Sequence, residues 1–507
     1  MRNPRDAMWL QLFELPDQPA LPLQARLRAA VVREIQAGRL ASGTALPSSR
    51  DLARLLGLSR NTVTAAYQQL VDDGFLAARP RSGIFVDAGA RAAGVGVEAP
   101  RTPSGGAARA PDWAPRVKRS LQGARTLSKP ARWRDYAYPF VYGHHDPQLF
   151  PTEDFRECCM RTLARAQLEH WTPDFETEDM PDLIEQLRTR VLPKRGVFAL
   201  PEEIIVTVGA QQAFQLLAEA LLDSRTRLGF EEPGYPHARN CFALRRPRWV
   251  PLRVDADGVV VDEIPALDLV FVTPSQQSPT TATLSLQRRT ALLQAADAQD
   301  FVVIEDDYEA ENLYDGVPIP ALKSLDRSGR VVYVGSIAKS LAPALRLGYI
   351  VAPAPLVAEL RHLRHVVVRH PSAFLQHAYA LYLSLGHHES HARRLNQAMR
   401  SRVAAAAEAL QRTLPDFAFR LPQGGASLWV QAPDWVDAAE LALEARRHGV
   451  LIEPGDVFYQ EAPQPCPCFR LRLSSIAPDR IAPGIEALAR AVADLRARVR
   501  ARQALAG

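Results

Sequence analysis

With 507 residues, of which 47% are hydrophobic and 23% charged, the chain has a globular composition and is too long for one core, so two or three domains are expected. No 18-residue apolar run occurs and Met1–Pro16 has no apolar segment of signal-peptide length, which argues against membrane insertion and export and for the cytoplasm. Five cysteines form no disulfide framework, and Cys466-Pro467-Cys468 lacks a second ligand pair, so no metal site is expected.

The formal net charge of +5 has a location. Between Leu21 and Val86 nine arginines face four acids, Glu34, Asp51, Asp72 and Asp73, so this segment carries the whole excess. A polyanionic partner is expected for it. After an N-terminal extension over 1–20, apolar Leu23, Leu27, Val31 and Ile35 predict a helix stopping at Gly38. Two short helices follow, capped by Ser48 or Ser49 and by Ser59 and joined at Gly57. The second packs through Val63, Tyr67, Leu70 and Val71 and leaves Ser59, Arg60, Asn61, Thr62 and Thr64 for base edges and phosphates. Phe75–Val86 reads as two strands around a basic turn with Arg79 and Arg81, a wing that reaches a minor groove. The segment 21–87 is thus a winged helix-turn-helix.

Residues 88–130 are rich in Ala, Gly, Pro and Arg without sustained periodicity, the composition of a flexible linker, with a short helix expected at Val117–Leu121. Residues 131–507 alternate buried strands with amphipathic helices, the pattern of an α/β domain with a mostly parallel central sheet. A strand at Ile204–Val208 runs into a turn and a helix at Gly209, whose first amides, at Gly209, Ala210 and Gln211, suit a phosphate. Tyr235, in Glu232-Pro233-Gly234-Tyr235, sits on a rigid loop and suits stacking on a planar ring.

Phe301-Val302-Val303-Ile304 leads straight into Glu305-Asp306-Asp307-Tyr308-Glu309. Acids at the end of a buried strand need a cation, and no nucleotide-binding glycine loop accompanies them to suggest magnesium. A protonated pyridine nitrogen fits one carboxylate, with the phenol on the same face. Farther on, Lys339 lies in a small, mostly uncharged loop, with Ser336 three residues before it and Arg346 seven after it. Apolar surroundings lower a lysine's pKa and free the amine to attack an aldehyde. An amine, a ring acid, a phenol, a stacking aromatic and a phosphate cradle together call for pyridoxal 5′-phosphate.

The pattern Leu-Pro-Ser-Ser-Arg at Leu46–Arg50, Ser-Arg-Asn-Thr-Val at Ser59–Val63 and Gly-Ile-Phe-Val at Gly83–Val86 resembles the winged helix of GntR-type regulators. The resemblance implies DNA contacts by Arg50, Arg60, Asn61, Thr62, Ser82 and Gly83. Asp146–Pro151, Gly209–Gln212, Glu232–Tyr235, Glu305–Tyr308, the Lys339 loop and Pro454-Gly455 resemble fold-type I aminotransferases, and the whole order resembles the MocR-type branch of the GntR regulators. That resemblance makes Lys339 the imine-forming lysine, Asp306 the partner of the ring nitrogen, Tyr308 and the Ser278 turn neighbours of the ring hydroxyl, Tyr235 the stacking ring, and Ser336 and Arg346 phosphate ligands. It assigns the effector carboxylate to Arg472, with Arg470 in reserve. It further implies a head-to-tail homodimer on double-stranded DNA with repeated half-sites.

Two positions depart from the family pattern. Gln276-Gln277-Ser278-Pro279-Thr280-Thr281 lacks the usual asparagine before Pro-Thr and the glycine after them, and Asp179–Ile184 lacks the glycine of the early helix. These changes favour sensing over turnover: a regulator that detects an amine or amino acid by transaldimination at Lys339. A catalytically active aminotransferase is the alternative, and a DNA-binding protein with a vestigial cofactor site the third. The effector is not legible, since regulators of this architecture answer to 4-aminobutyrate, taurine, diamino acids or the cofactor itself.

Overall fold

The computed structural model describes residues 8–10, 12–13, 15, 21–80, 82–87, 111–118, 120–142, 146–175, 177–309, 314, 320–337 and 339–506. Arg81, most of the extension 1–20 and the first half of the linker lie outside the described residues. The chain divides into two compact units, Met1–Val117 and Lys118–Gly507.

In the first unit, helices Leu23–Gln36, Ser49–Leu56 and Arg60–Asp72 precede β1 (Leu76–Arg79) and β2 (Gly83–Val86), an antiparallel pair in which Arg79 faces Gly83. Ser48 Oγ accepts from the Asp51 amide at 3.2 Å and Ser59 Oγ from the Thr62 amide at 3.1 Å, so each short helix starts on a serine cap. Gly57 takes φ of +65°, which lets the chain turn between the two helices. Leu27, Val31, Ile35, Leu52, Val63, Tyr67, Leu70, Leu76 and Val86 form one core. The Tyr67 hydroxyl donates to the Pro47 carbonyl at 3.0 Å, tying the third helix to the start of the second.

Glu34, one of the four acids of this segment, is buried and paired with Arg39 at 2.5 Å and Arg33 at 3.0 Å. The Arg39 hydrogen bond holds its carboxyl down at about 2. A depressed carboxylate contributes stability above its unfolded pKa of ~4.3 and loses it as pH falls through the folded value. Glu34→Gln is expected to destabilise this unit by about 1 kcal/mol at neutral pH, the arginines being half exposed. In thermal melts the gap between wild type and variant should close as pH falls from 5 toward 2.

Among the described residues of the expected helix at Val117–Leu121 none is helical; a 3₁₀ turn spans Ala114–Arg116, where Pro115 suits the first turn. In the second unit β3 (Tyr138–Pro139) comes first. β4 (Ile204–Thr207), β5 (Arg227–Glu232), β6 (Arg248–Asp255), β7 (Gly258–Val259), β8 (Leu269–Val272), β9 (Val302–Asp306), β10 (Val331–Ser336) and β11 (Gly348–Val351) form an eight-stranded sheet ordered β4-β11-β10-β9-β8-β5-β6-β7. Strands β6, β5, β8, β9 and β10 run parallel, while β7 is antiparallel to β6 and β11 is antiparallel to both β10 and β4. Both faces are covered, so Ile204–Val206 in β4, Leu269–Val272 in β8 and Val302–Ile304 in β9 read as continuous apolar runs. Phe230 and Phe271 stack at 5.0 Å under Phe214 and Phe242, each contributing roughly 2 kcal/mol by burial.

A smaller lobe holds β12 (Ala418–Phe419), β13 (Ser427–Gln431), β14 (Val450–Leu451), β15 (Glu453–Pro454) and β16 (Cys468–Arg472). Four of these strands form a sheet ordered β12-β13-β16-β15, and β14 pairs in parallel with β3. Helices His387–Thr413 and Pro478–Ala506 bury Leu410, Ile485 and Leu488 against Leu428 and Leu471 of that sheet. Among the described residues no helix is long and apolar enough to cross a membrane.

Candidate functional site

The carboxyl ends of β5, β9 and β10, the turn after β8 and the helix after β4 converge on one cleft, the place where open α/β sheets bind small molecules. Its walls include Gly209, Ala210, Gln211, Tyr235, Ser278, Asp306, Tyr308, Ser336, Lys339 and Arg346, together with Arg470 and Arg472. The structure therefore brings together every residue expected around the ring, phosphate and effector.

Strand alternation sorts the acids that follow β9's apolar run. Glu305 accepts the Leu322 and Lys323 amides, each at 2.8 Å, and faces Arg289 at 4.0 Å. Asp307 is paired with buried Arg195 at 2.8 Å and accepts from the Tyr333 hydroxyl at 2.8 Å. Asp306 points the other way, into the cleft, and its Oδ1 is buried without a hydrogen-bond partner among the described residues. Burial raises its carboxyl above the usual range, against the pull of Lys339. An unpartnered buried acid is costly unless something donates to it, so the site fits a cationic ring N–H at this point.

Lys339 is four-fifths covered, with its Nζ 4.0 Å from the Tyr308 ring centre, donating to the Tyr308 carbonyl at 3.1 Å and paired with Glu309 at 3.0 Å. Burial lowers its amine to about 8, with Glu309 pulling it back up and Arg472 pushing it down. Burial likewise raises the phenols of Tyr235 and Tyr308.

The two arginines of β16 share a face and meet different partners. Arg470 lies opposite Glu453 across the β15–β16 register and pairs with it at 2.7 Å. Arg472 lies opposite Ser427 of β13, donates to its hydroxyl at 2.7 Å and stands 3.5 Å from Glu309. Arg472 Nε is buried without a partner among the described residues, while Arg470 gives its Nε to Glu453.

Helix Gly209–Leu221 starts without a side-chain cap, leaving its first amides open to an anion. Arg346 donates to the Val208 carbonyl at 3.1 Å beside them, and a Cβ at Gly209 would stand 2.9 Å from its guanidinium. A side chain there would displace the Arg346 guanidinium. Gly209 has φ of +70°, which also favours glycine.

Ser278 is buried in the cleft wall, its amide donating to Thr273 Oγ1 at 3.0 Å. Gln277 organises this turn through bonds to Pro233 O, Glu231, and the Thr280 amide and hydroxyl. Thr281 takes φ of +63°, the left-handed conformation that explains why a glycine would suit the position. Asp179, the other departure, is buried against Arg364 and accepts the Val206 amide at 3.1 Å, so it fastens β4.

Among the wall residues, Leu127, Tyr142, Phe214, His237, Pro343 and Leu347 were given no role in advance, and neither was Glu309, which pairs with Lys339. Glu309 stood in the acidic run, and its pairing with Lys339 across 30 positions had no sequence signal. Elsewhere Glu444, His448 and Asp494 lie within metal-binding reach, but Glu444 is held by Arg447 and Arg498, and His448 by Asp494.

On the winged helix, Arg50, Ser59, Arg60, Asn61, Thr64, Arg79, Ser82 and Gly83 are exposed. Thr62 is half-buried, its hydroxyl 2.8 Å from that of Ser59, because both groups complete the helix cap. Arg79 lies 4.6 Å over the Phe85 ring, which holds it along the wing.

Two family signatures match the chain: bacterial regulatory proteins of the gntR family over residues 23–86, and aminotransferase class I and II over residues 166–488. It is 44% identical to the HTH-type transcriptional regulator TauR of Rhodobacter capsulatus, over 93% of this chain and 96% of that protein. It is 33% identical to the probable rhizopine catabolism regulatory protein MocR of Rhizobium meliloti, over 78% of this chain and 79% of that protein. The chain belongs to the MocR-type branch of the GntR regulators. In this MocR-type chain the second unit has the fold-type I aminotransferase fold. A solved structure of Pyrococcus horikoshii kynurenine aminotransferase, in complex with PMP, superposes with a TM-score of 0.69 at 25% identity, covering 75% of this chain and 98% of that one.

Proposed function

We propose that this MocR-type regulator binds double-stranded DNA as a head-to-tail homodimer in the cytoplasm, holds pyridoxal 5′-phosphate at Lys339, and changes its DNA binding when an amine or amino acid enters the cleft. The observation that carries the reading is Asp306, a buried carboxyl with an unpartnered oxygen in the same cleft as a lysine of lowered pKa. The cofactor, when bound, supplies an aldehyde carbon on which one amine can replace another. Asp306 receives the ring N–H, Tyr235 covers the ring, Tyr308 and the Ser278 turn lie near its hydroxyl, and Gly209, Ala210, Gln211, Ser336 and Arg346 hold the phosphate. Arg472 takes the effector's anionic end. Arg50, Ser59, Arg60, Asn61, Thr62, Thr64, Arg79, Arg81, Ser82 and Gly83 meet DNA, two winged helices serving two half-sites.

The test measures binding of the full-length protein to its own upstream DNA by fluorescence anisotropy, with and without the cofactor and a panel of amines. Arg60→Ala is expected to cost roughly 1–3 kcal/mol per half-site and, where Arg60 meets a phosphate, to flatten the salt dependence. Affinity that shifts with an amine only when cofactor is present supports the reading. Steady keto-acid production with no DNA binding under any condition would overturn it in favour of an aminotransferase.

A further inference from the structure

The end of the predicted linker is part of the second unit, and one of its residues reaches the cleft. Leu127 lines the same cavity as Tyr142, Tyr235, His237 and Lys339. The residues around it are anchored on both lobes. On the large lobe, Asn240 Nδ2, in the helix that follows Tyr235, donates to the Arg125 carbonyl at 3.0 Å. On the small lobe, the Arg125 guanidinium donates to the carbonyls of Asp456 at 3.2 Å and Tyr459 at 3.4 Å, just after β15. Lys129 then donates to the Tyr142 carbonyl at 2.6 Å and lies 4.4 Å over the Trp133 ring. Arg125 therefore bridges the two lobes and Lys129 fastens to Tyr142, with Leu127 lining the cleft between these two fastenings.

The second fastening leads to the arginine pair. The Tyr142 amide donates to Glu453 Oε1 at 2.8 Å, and Glu453 Oε2 accepts from Arg470 at 2.7 Å. The Arg472 guanidinium lies 5.5 Å from the Tyr142 ring centre. Tyr142 thus touches the strap by its carbonyl, Glu453 by its amide and Arg472 by its ring. A ligand that orders Tyr142 acts on the strap through direct contact.

We propose that Arg125–Lys129 is a strap forming one wall of the ligand cleft through Leu127, and that filling the cleft fastens it. The inference rests on the cleft being a cofactor site. It makes the covalent continuation toward the winged helix a reporter of occupancy, because the chain N-terminal to Arg125 begins where the strap is fastened or released. Lobe movement is then not the sole route for the signal, since the segment that continues toward the DNA-binding unit itself touches the cleft.

Limited trypsinolysis of the full-length protein tests this, with pyridoxal phosphate as the probe and imine absorbance recorded on the same samples. Cleavage after Arg125 is expected to slow by about tenfold when the imine forms, while cleavage after exposed Lys118 changes less than twofold. Leu127→Ala, loaded to the same imine absorbance as wild type, should lose most of the protection at Arg125. An imine band with unchanged cleavage at Arg125 overturns the strap and leaves the cofactor reading standing. Equal slowing at Lys118 and Arg125, or protection untouched by Leu127→Ala, also overturns it. Absence of the band overturns the cofactor reading, and the strap with it.

Discussion

A Lys339→Ala variant mixed with pyridoxal phosphate is expected to show no imine absorbance and to hold the cofactor at least about a hundredfold more weakly, roughly 3 kcal/mol. The band can be assigned to one residue because the chain contains only five lysines, Lys118, Lys129, Lys194, Lys323 and Lys339. Lys194 is paired with Glu389 and Lys323 with Asp326, both at a distance from the cleft walls, and Lys129 is directed onto Trp133. Residual affinity should remain, since Asp306, Tyr235 and Arg346 are untouched. Only the neutral amine attacks an aldehyde, so the rate of capture should rise with pH and level off above about 8, the value to which burial lowers Lys339. An ordinary lysine near 10.4 would level off more than two units higher and hold on the order of a hundredfold less neutral amine at pH 7. A plateau only above pH 10, or a band that survives in the alanine variant, would remove Lys339 from its assigned place.

The features legible in the sequence were those written in local chemistry. Serine caps at Ser48 and Ser59, a left-handed glycine at Gly57 and apolar spacing along Leu23–Ile35 specify the helices of the first unit within a few residues of chain. The run from β9 into Asp306 and Tyr308 was legible because strand alternation alone decides which acid shares a face with the phenol. What escaped depends on partners far along the chain. Arg195 meets Asp307 across 112 positions, and Arg125, in a stretch of linker composition, meets the Asp456 carbonyl across 331. Polar and small residues predict flexibility from composition, but Arg125 and Lys129 find fixed acceptors that composition cannot report. Thr281 was read as a departure from the family pattern; the structure gives the reason, a positive φ that the turn imposes whatever the side chain.

Glu309→Gln and Arg472→Ala are expected to move the pH midpoint of cofactor capture in opposite directions. Glu309 stands 3.0 Å from the Lys339 amine and favours its charged form, so the amide should lower the midpoint below about 8 and speed capture at pH 7 severalfold. Arg472 disfavours the charged form, so its removal should raise the midpoint and slow capture. A general loosening of the cleft would shift both variants the same way, and that result would refute the charge balance inferred here. The same pair separates two roles for Glu309. Its carboxylate is shared between Lys339 and Arg472, where the anionic end of an amino acid would bind, so it acts as an internal competitor for that arginine. Two probes that differ by one carboxylate, 3-aminopropanoate and propylamine, resolve the matter. Arg472→Ala should weaken the first by about 2–5 kcal/mol and leave the second nearly unchanged. Glu309→Gln should strengthen the first relative to the second, because the arginine no longer exchanges one carboxylate for another. If Glu309→Gln instead weakened both probes equally, Glu309 would be holding the site open rather than competing for Arg472.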